Sequence, residues 1–314
     1  MWIKSVLLVL LAIIVVAVAS LLVIIGVANS GVEPRALGDQ DMNYEWMDQL
    51  DDGKALNELY IPGTHDTGAL YSFLGVAGKC QSYSVEDQLA MGVRFFDIRL
   101  QLRDNELAVV HSFVDQKLSF DEVLEDVSAF LRAHPSEFVI MSIKEDADPE
   151  NSTVEFNAAV EEKLRSHLAD LLSDGTECPK SVGEARGKVH IVSRYRGATL
   201  GIPASAGWQD STSFEIGALY VQDYYAITDV ESKLTSMKKA FEIAKEERYD
   251  LTLNFASCYL QDGFPPAHAP TTAKAVNPAL LEMIENTEIA PCIFICDFVT
   301  PELIEAIIQN NMTK

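Results

Sequence analysis

The stretch that decides the fold is residues 59–68, LYIPGTHDTG. It opens with a short apolar run, enters a Pro-Gly turn and then places His65 and Asp66 side by side. Gly63 and Gly68 permit tight bends on both sides of this pair, so the imidazole can be held at a loop edge within reach of a ligand. A capping turn, in which a neighbour of the histidine starts a helix and the imidazole is solvated, explains the same stretch. From these residues alone both interpretations stay open.

The chain beyond Trp46 alternates short β-rich runs with longer helical patterns. Runs rich in Val, Ile, Phe and Tyr predict strands at 59–61, 93–100, 107–111, 138–144, 189–195, 218–222, 251–255 and 292–297. Apolar periodicity predicts helices between them, at 84–91, 119–133, 153–172, 230–247, 278–285 and 301–310. This alternation predicts one α/β barrel over residues 46–314.

One connection departs from the ideal barrel pattern. The tight turn Arg103-Asp104-Asn105 joins the second and third predicted strands and is too short for a parallel crossover. A hairpin is expected there instead, so the barrel is predicted to be irregular.

An almost unbroken apolar run covers residues 5–28 and is long enough to cross a hydrocarbon core of about 30 Å as a helix. Its length favours an uncleaved signal anchor over a signal peptide, although Gly26-Val27-Ala28 offers small residues that a signal peptidase could accept. Lys4 precedes the run and acidic residues dominate after it, which predicts a single-pass protein with its body outside the cytoplasm. If the run is cleaved, the protein is secreted. Residues 29–45 are predicted to be a linker.

The net charge of −23 excludes several classes of partner. Such an acidic surface argues against nucleic acid and against electrostatic adhesion to anionic bilayers. Five cysteines in 314 residues do not make a disulfide framework. Cys292 and Cys296 lie too far apart along one predicted strand to bridge each other. We expect a monomer.

Polar side chains recur at or just past the downstream end of the predicted strands. The carboxyl ends of barrel strands form the active-site face, so these residues are expected to converge on one bowl. They are His65, Asp97, Arg99, His111, Lys144, Arg194, Asp223, Asn254 and Asp297. Each has a structural explanation, such as an ion pair at the surface, but a coincidence at nearly every strand is harder to explain that way.

This set combines two histidines with arginine and carboxylates, and it has no zinc-like spacing. Two imidazoles can divide proton transfer, one taking a proton from an attacking hydroxyl and the other giving one to a leaving oxygen. An arginine between them suits a phosphate, because its planar fork binds two oxygens and stays charged. The residues therefore predict phosphodiester cleavage. The histidines that end no predicted strand are assigned structural roles: His134, His167, His190 and His268.

Five ordered motifs resemble the X-domain of phosphatidylinositol-specific phospholipase C, most closely the metal-independent bacterial type. They are IPGTHD at 61–66, GVRFFDIR at 92–99, VH at 110–111, PSE at 135–137 and MSIK at 141–144. The likeness extends from about Trp46 to the C-terminus and implies a distorted TIM barrel. The sequence departs from the bacterial pattern at Ser112, where glycine is usual, and in its apolar N-terminal run, so lipid preference stays open.

The resemblance implies a proton-transfer role for each matched residue. His65 would deprotonate the inositol 2-hydroxyl, and Asp297 would orient it. His111 would protonate the departing diacylglycerol oxygen, assisted by Asp66. The attack is intramolecular, so the implied products are diacylglycerol and inositol 1,2-cyclic phosphate.

The resemblance also assigns the charged and ring-binding residues. Arg99 would stabilise the phosphate, with Asp97 holding the local geometry. Because calcium-dependent relatives use a cation where this type uses arginine, no metal and no cofactor is expected. The implied inositol-binding residues are Lys144, Arg194, Asp223 and Tyr225, with Tyr224 an alternative to the last.

Other interpretations of the same residues remain. The implied lipid is phosphatidylinositol or its glycosylated form, but a barrel with the same histidine pair could act on another head group. A catalytically silent inositol-lipid-binding protein is the alternative outside enzymes, although simple binding does not require an acid and a base. Tyr71, Phe73 and Leu74 could touch lipid, and core packing is the expected role for them.

Overall fold

The computed structural model describes residues 2–29, 35–72, 78–262 and 268–312. Its helices are α1 (Trp2–Asn29), α2 (Val85–Met91), α3 (Phe120–Ala133), α4 (Phe156–Leu168), α5 (Val182–Ala185), α6 (Val230–Ala244), α7 (Ala269–Glu285) and α8 (Pro301–Gln309). Its first strands are β1 (Ile61–Thr64), β2 (Phe95–Arg103), β3 (Glu106–His111), β4 (Val114–Ser119), β5 (Val139–Glu145) and β6 (Val189–Arg194). The others are β7 (Ile202–Pro203), β8 (Ser213–Ile216), β9 (Leu219–Gln222), β10 (Ala226–Ile227), β11 (Leu251–Phe255), β12 (Tyr259–Leu260) and β13 (Ile293–Cys296). Residues 30–34 of the predicted linker, together with Phe73 and Leu74, lie outside the described residues.

The main sheet has the order β7-β6-β5-β2-β1-β13-β11-β9-β8. All neighbours from β7 to β9 are parallel, and β8 closes the series antiparallel to β9. Within the described residues, β7 and β8 remain edges, so the curled sheet is a distorted barrel that does not close. The fold class expected from the sequence is confirmed.

The predicted hairpin is confirmed as well. β3 pairs antiparallel with β2, and Arg103 lies opposite Glu106 at the turn. β4 extends the hairpin by a third strand that the sequence did not predict, because its residues are mostly polar and its burial alternates over few positions. The hairpin strands precede the crossover helix α3 that leads to β5, and His111 is the last residue of β3.

The first strand begins later than predicted and includes the Pro-Gly pair. Pro62 has no backbone N–H to donate within a sheet. The pairing of β1 with β2 starts one residue later, with Gly63 opposite Phe95. A Cβ on Gly63 would lie 3.0 Å from the Cβ of Phe95 and 3.2 Å from the carbonyl oxygen of Phe294. Glycine is therefore required for β1 to fit between its neighbours, and the strand delivers His65 directly at its carboxyl end.

Other element boundaries also differ from the predictions. α7 begins at Ala269 and carries Pro278 inside it, whereas the sequence predicted a start at that proline. α4 and α6 are shorter at their ends than predicted, and β8 was missed. The longer α7 matters for function, because it brings its first turn to the rim of the barrel.

The amino-terminal end of the barrel is fixed by a buried ion pair. Arg94 donates to Glu137 at 2.9 Å, and both side chains are fully buried. Arg94 also donates to the carbonyls of Asn43 and Tyr44, and Glu137 accepts from the backbone N–H of Met47. Removing one partner of such a pair would leave a buried charge, so the pair is kept together. Its contacts with Asn43, Tyr44 and Met47 fix that segment against the amino-terminal end of the barrel.

Candidate active site

A cavity of about 1050 Å³ opens at the carboxyl ends of the parallel strands. Most of the residues predicted for the site line it: His65, Arg99, His111, Lys144, Arg194, Asp223, Tyr225 and Asp297. Asp66 and Asp97 are buried directly beneath it. Asn254 does not reach the cavity, because its amide bonds Gln222 and the carbonyl of Met237.

His65 is held by a partner on each ring nitrogen. Its Nδ1 lies 2.8 Å from Asp297 Oδ1, and its Nε2 lies 2.8 Å from Arg99 Nη2. Arginine can only donate, so Nε2 accepts and the ring proton sits on Nδ1, where it is donated to Asp297. Burial lowers the pKa of His65, but the Asp297 carboxylate more than offsets this, and the pKa is raised overall. These contacts fix the tautomer of His65 with Nε2 as the acceptor, and Asp297 makes the imidazole more basic.

Asp66 lies between the two predicted proton-transfer residues. Its Oδ2 is 3.7 Å from Nε2 of His65 and 3.7 Å from Nε2 of His111. The residue adopts φ +45°, is 2% exposed, and its Oδ2 has no hydrogen-bond partner among the described residues. Burial raises the pKa of this carboxyl. An unsatisfied buried oxygen in a sparsely populated backbone conformation is typical of a site held ready for a ligand or a proton.

His111 ends β3 and presents Nε2 to the same space. Its Nδ1 lies 3.1 Å from the carbonyl oxygen of Gly78, so Nδ1–H donates there and fixes the ring. Cys80 Sγ lies 3.6 Å from the same nitrogen. The His111 side chain is 29% exposed, against 15% for His65. Of the two imidazoles, His111 is the more exposed to solvent.

Arg99 joins the acidic residues under the cavity. Its Nη2 and Nε donate to Asp97 Oδ2 at 3.1 and 3.2 Å, and Nε lies 3.4 Å from Asp66 Oδ2. Burial disfavours the charged guanidinium, but the surrounding carboxylates outweigh it and raise the pKa of Arg99. Burial likewise opposes ionisation of Asp97, yet Arg99 and Arg194 lower its pKa overall. The site therefore presents a permanent positive charge beside the lone pair of His65.

With this geometry established, known proteins offer a direct comparison. The family model described as "Phosphatidylinositol-specific phospholipase C, X domain" matches residues 54–195. The 1-phosphatidylinositol phosphodiesterase of Staphylococcus aureus strain Newman is 30% identical over 235 residues, which cover 68% of this chain and 74% of that protein. The chain belongs to the phosphatidylinositol-specific phospholipase C X-domain family.

Further relatives agree in sequence and in fold. The 1-phosphatidylinositol phosphodiesterase of Listeria monocytogenes is 26% identical over 276 residues, covering 85% of this chain and 84% of that protein. A solved structure of a mutant phosphatidylinositol-specific phospholipase C from S. aureus superposes with a TM-score of 0.75 at 27% identity, covering 84% of this chain and 97% of that one. The family likeness therefore spans most of the barrel.

In this X-domain protein, two site residues lie outside the sequence predictions. Trp208 lies in the loop between β7 and β8, where no periodic pattern marks it. The Arg194 guanidinium stacks 3.6 Å above its ring, and its Nε1–H donates to Asp223 Oδ2 at 3.1 Å. Asp146 follows β5 and accepts from Lys144 at 2.6 Å. Burial raises the pKa of Asp146, but Arg99 and Lys144 bring it down to about 2.

Ser112 is the position after His111 where the resemblance led us to expect glycine. It adopts φ +55°, a left-handed conformation that glycine reaches without cost. Its backbone N–H donates to Asp146 Oδ2 at 2.7 Å, which ties the hairpin to the end of β5. The departure from the family pattern is therefore tolerated through a local hydrogen bond and leaves His111 in place.

His268 differs from its predicted structural role. It precedes the first turn of α7 and lines the cavity, because that helix begins earlier than the sequence indicated. Burial and the nearby His111 lower its pKa. His134, His167 and His190 contact residues away from the cavity, at Glu45, Lys163 and Ala185 respectively. Tyr71 is 42% exposed, so the expected core packing is wrong for it.

Two overlapping groups in the site offer metal-ligand atoms. They are His65, Cys80 and Asp297, and Asp66, Cys80 and His111, with ligand atoms within 4.8 Å of one another. Both share Cys80, whose thiol pKa is raised by burial, and Arg99 already places a positive charge beside them. Charge repulsion makes this donor set a poor fit for a resident cation.

Proposed function

We propose that this X-domain protein cleaves phosphatidylinositol by attack of the inositol 2-hydroxyl on the phosphorus. The observation that carries the proposal is the pair of imidazoles whose Nε2 atoms flank Asp66, with Arg99 beside them in one cavity. One oriented base, one oriented acid and a fixed cation are what intramolecular phosphodiester cleavage requires.

The first step is removal of the 2-hydroxyl proton by His65 Nε2. In the structure this lone pair accepts a hydrogen bond from Arg99 Nη2. A bound hydroxyl would replace that contact, and the freed guanidinium N–H would turn to a phosphate oxygen. Asp297 stabilises the imidazolium that forms, through the 2.8 Å contact to Nδ1. The same exchange of contacts thus binds the substrate and brings the His65 lone pair to the hydroxyl proton.

Arg99 acts on the charge that develops at phosphorus. Asp97 and Asp66 contact the guanidinium and hold it in place, so only the N–H released from His65 has to turn to the phosphate. Donors fixed in this way contribute most to rate when they meet charge that exists only in the transition state. This residue supplies electrostatic stabilisation without a proton transfer.

His111 completes the reaction by giving its Nε2 proton to the glycerol oxygen. The O2–P bond forms as the P–O bond to diacylglycerol breaks, so the products are inositol 1,2-cyclic phosphate and diacylglycerol. The Asp66 carboxyl lies 3.7 Å from Nε2 of His111, while the Gly78 carbonyl fixes the other ring nitrogen. Before the next cycle His65 releases its proton to water, and Nε2 of His111 takes a proton from water.

The remaining polar side chains suit the inositol ring. Lys144 and Arg194 offer cationic donors to ring hydroxyls, and Asp223 offers an acceptor held by Trp208. Tyr225 lines the opposite wall and hydrogen-bonds Asp210 through its hydroxyl. Its ring would stack on the apolar face of the sugar. Glycosylated phosphatidylinositol presents the same ring and phosphate and is the second substrate.

The N-terminal helix bears on location. Residues Lys4–Leu21 have a mean hydropathy of 2.7, and the helix is long and apolar enough to cross a membrane. A signal sequence has the same properties. Because Lys4 precedes it and acidic residues follow, we propose a single-pass anchor with the barrel outside the cytoplasm.

The test compares head groups. Mixed micelles of phosphatidylinositol, phosphatidylcholine or phosphatidylethanolamine are incubated with the protein, and diacylglycerol is measured. We expect release from phosphatidylinositol alone, and a loss of at least about 10²-fold for His65→Ala or His111→Ala. His167→Ala is the matched control, because its ring contacts Lys163 and Asp121 far from the cavity.

Three outcomes would contradict the proposal in different ways. Release from another head group would keep the two-histidine chemistry and change the substrate. Binding of phosphatidylinositol without release would make the protein a silent lipid-binding module. Equal losses in all three histidine variants would show that the imidazoles flanking Asp66 have no special part in the reaction.

A further inference from the structure

The linker that precedes the barrel contacts it through Arg35. Its two terminal nitrogens each lie 2.6 Å from an oxygen of Asp41, and Nη2 also lies 2.9 Å from Glu302. The Tyr83 hydroxyl donates to the Arg35 carbonyl at 3.2 Å. A bidentate ion pair shared with a second carboxylate is stronger than an isolated surface pair. Arg35 is therefore a defined attachment point and not a loose tail.

This attachment lies at the active-site end of the barrel. Tyr83 comes just before the N-cap of α2, and Glu302 lies in the first turn of α8. Both helices follow barrel strands, and a helix that follows a parallel strand begins at the carboxyl end of the sheet. The cavity opens at that same end.

From Arg35 the chain runs down the outside to the opposite end. Asn43 N–H donates to Ala90 O, in the last turn of α2, and Met47 is held by Glu137, which precedes β5. Those positions are at the amino end of the strands. The linker thus meets the barrel at the end where the cavity opens and then runs along the outside to the amino ends of the strands.

The candidate membrane span is close to this point along the chain. α1 ends at Asn29, six residues before Arg35. An extended chain advances by at most about 3.3–3.6 Å per residue, so the two points lie within roughly 20 Å of each other. This short connection keeps Arg35 close to the membrane end of α1.

Exposed aromatic side chains lie at the mouth of the cavity or close to it in the chain. Tyr71, Phe113 and Tyr259 are 42%, 72% and 38% exposed, and each follows a strand at the active-site end or the hairpin beside it. Phe113 and Tyr259 also line the cavity. Aromatic rings are favoured at the boundary between headgroups and hydrocarbon. The rim is therefore suited to contact a lipid surface.

We propose that the cavity faces the bilayer that holds its own α1, so the enzyme cleaves lipid in the membrane in which it is anchored. This inference rests on the proposed function. The net charge of −23 opposes adhesion to other anionic membranes. Anchoring through α1 keeps the barrel close to lipid without electrostatic attraction. The arrangement restricts a lipase to one membrane by geometry.

The test uses the full chain in lipid nanodiscs, where both faces of the bilayer are open to solvent. Host discs contain phosphatidylinositol of one acyl composition, and protein-free discs contain a deuterated form. Mass spectrometry of the two diacylglycerols gives the rate on each. We expect the host lipid to be cleaved at least about tenfold faster, as intramolecular access predicts.

Two arginine variants separate the tether geometry from general effects. Arg35→Ala frees the attachment and is expected to lower the ratio of host to foreign cleavage several-fold. Its cleavage of a monomeric short-chain phosphatidylinositol should stay unchanged, because Arg35 lies outside the cavity. Arg248→Ala removes a comparable exposed ion pair, with Glu246, before β11 at the opposite end and should leave both readouts unchanged.

The outcomes distinguish this inference from the proposed function. A ratio near one, or an equal ratio in Arg35→Ala, with normal cleavage of the short-chain substrate would overturn the inference alone. Cleavage of the short-chain substrate with none of the host lipid would show that the mouth faces away. No cleavage of any phosphatidylinositol by folded protein would remove the proposed function itself.

Discussion

Replacing Asp297 by asparagine tests the base directly. The carboxylate lies 2.8 Å from Nδ1 of His65, and the shape of the side chain is kept. The amide oxygen can still accept from Nδ1–H, and the Arg99 contact at Nε2 still requires the same tautomer. The change therefore removes charge while it preserves orientation.

The size of the effect follows from that charge. A charge-assisted hydrogen bond is worth about 1–1.5 kcal/mol more than a neutral one, which sets a lower bound of about tenfold. Two unit charges about 4 Å apart attract by about 4 kcal/mol at an effective dielectric of about 20, which sets an upper bound of about 10³-fold. We expect kcat of Asp297→Asn to fall within this range.

The pH profile should change in a defined direction. As a base, His65 must be deprotonated, so kcat/KM rises with pH through its pKa. Asp297 is what raises this pKa, while burial lowers it. Without the carboxylate the pKa falls, and the acidic limb of the profile moves to lower pH.

The assay is initial rates on a short-chain phosphatidylinositol between pH 4 and pH 9, with stability checked by chemical denaturation. Asp104→Asn is the matched control, because it makes the same change at an exposed hairpin position with φ +51° that asparagine tolerates. An unchanged kcat and an unmoved acidic limb in folded Asp297→Asn would refute the assignment of His65 as the base.

Three further predictions follow from contacts in the same site. Arg99→Lys keeps the charge but cannot reach His65 and Asp97 together, so kcat should fall about 10²–10³-fold in a steady-state assay; a loss under tenfold would contradict the role. Trp208→Phe keeps an aromatic ring and removes the donor to Asp223, so KM should rise about fivefold with kcat within twofold; a change in kcat alone would be inconsistent. The pKa of Asp97 is lower in the folded protein than in the unfolded chain, so its ionised form stabilises the fold above the unfolded pKa, and this stability is lost as pH falls. The free energy of unfolding of Asp97→Asn should therefore decrease less between pH 7 and pH 3 than that of the parent protein. Equal decreases would contradict this.

The site residues at the strand ends could be predicted from sequence because every parallel strand of a barrel ends at the same face. Apolar runs mark the strands, parallel strands share one carboxyl edge, and most polar residues at that edge face the mouth, although Asn254 does not. This is why His65, Arg99 and Lys144 were found and lie in one cavity. The hairpin was also readable, because its turn was too short for any other connection.

Residues on loops and at helix starts could not be found in this way. Trp208 has no periodic neighbours, and its place depends on stacking with Arg194 across the cavity. His268 was assigned a structural role because it ends no predicted strand, whereas it precedes α7 and lines the cavity. Cys80 reaches His111 only through the fold of the loop after β1. Tertiary contacts decide these positions, and the local sequence carries no mark of them.

The central claim is intramolecular attack by the inositol 2-hydroxyl without a metal. Phosphorus NMR of phosphatidylinositol micelles incubated with the protein in excess chelator tests it most directly. The account predicts a resonance of inositol 1,2-cyclic phosphate that is absent with His65→Ala and absent for a substrate methylated at the 2-hydroxyl. Direct formation of acyclic inositol phosphate, or cleavage of the methylated substrate, would contradict it.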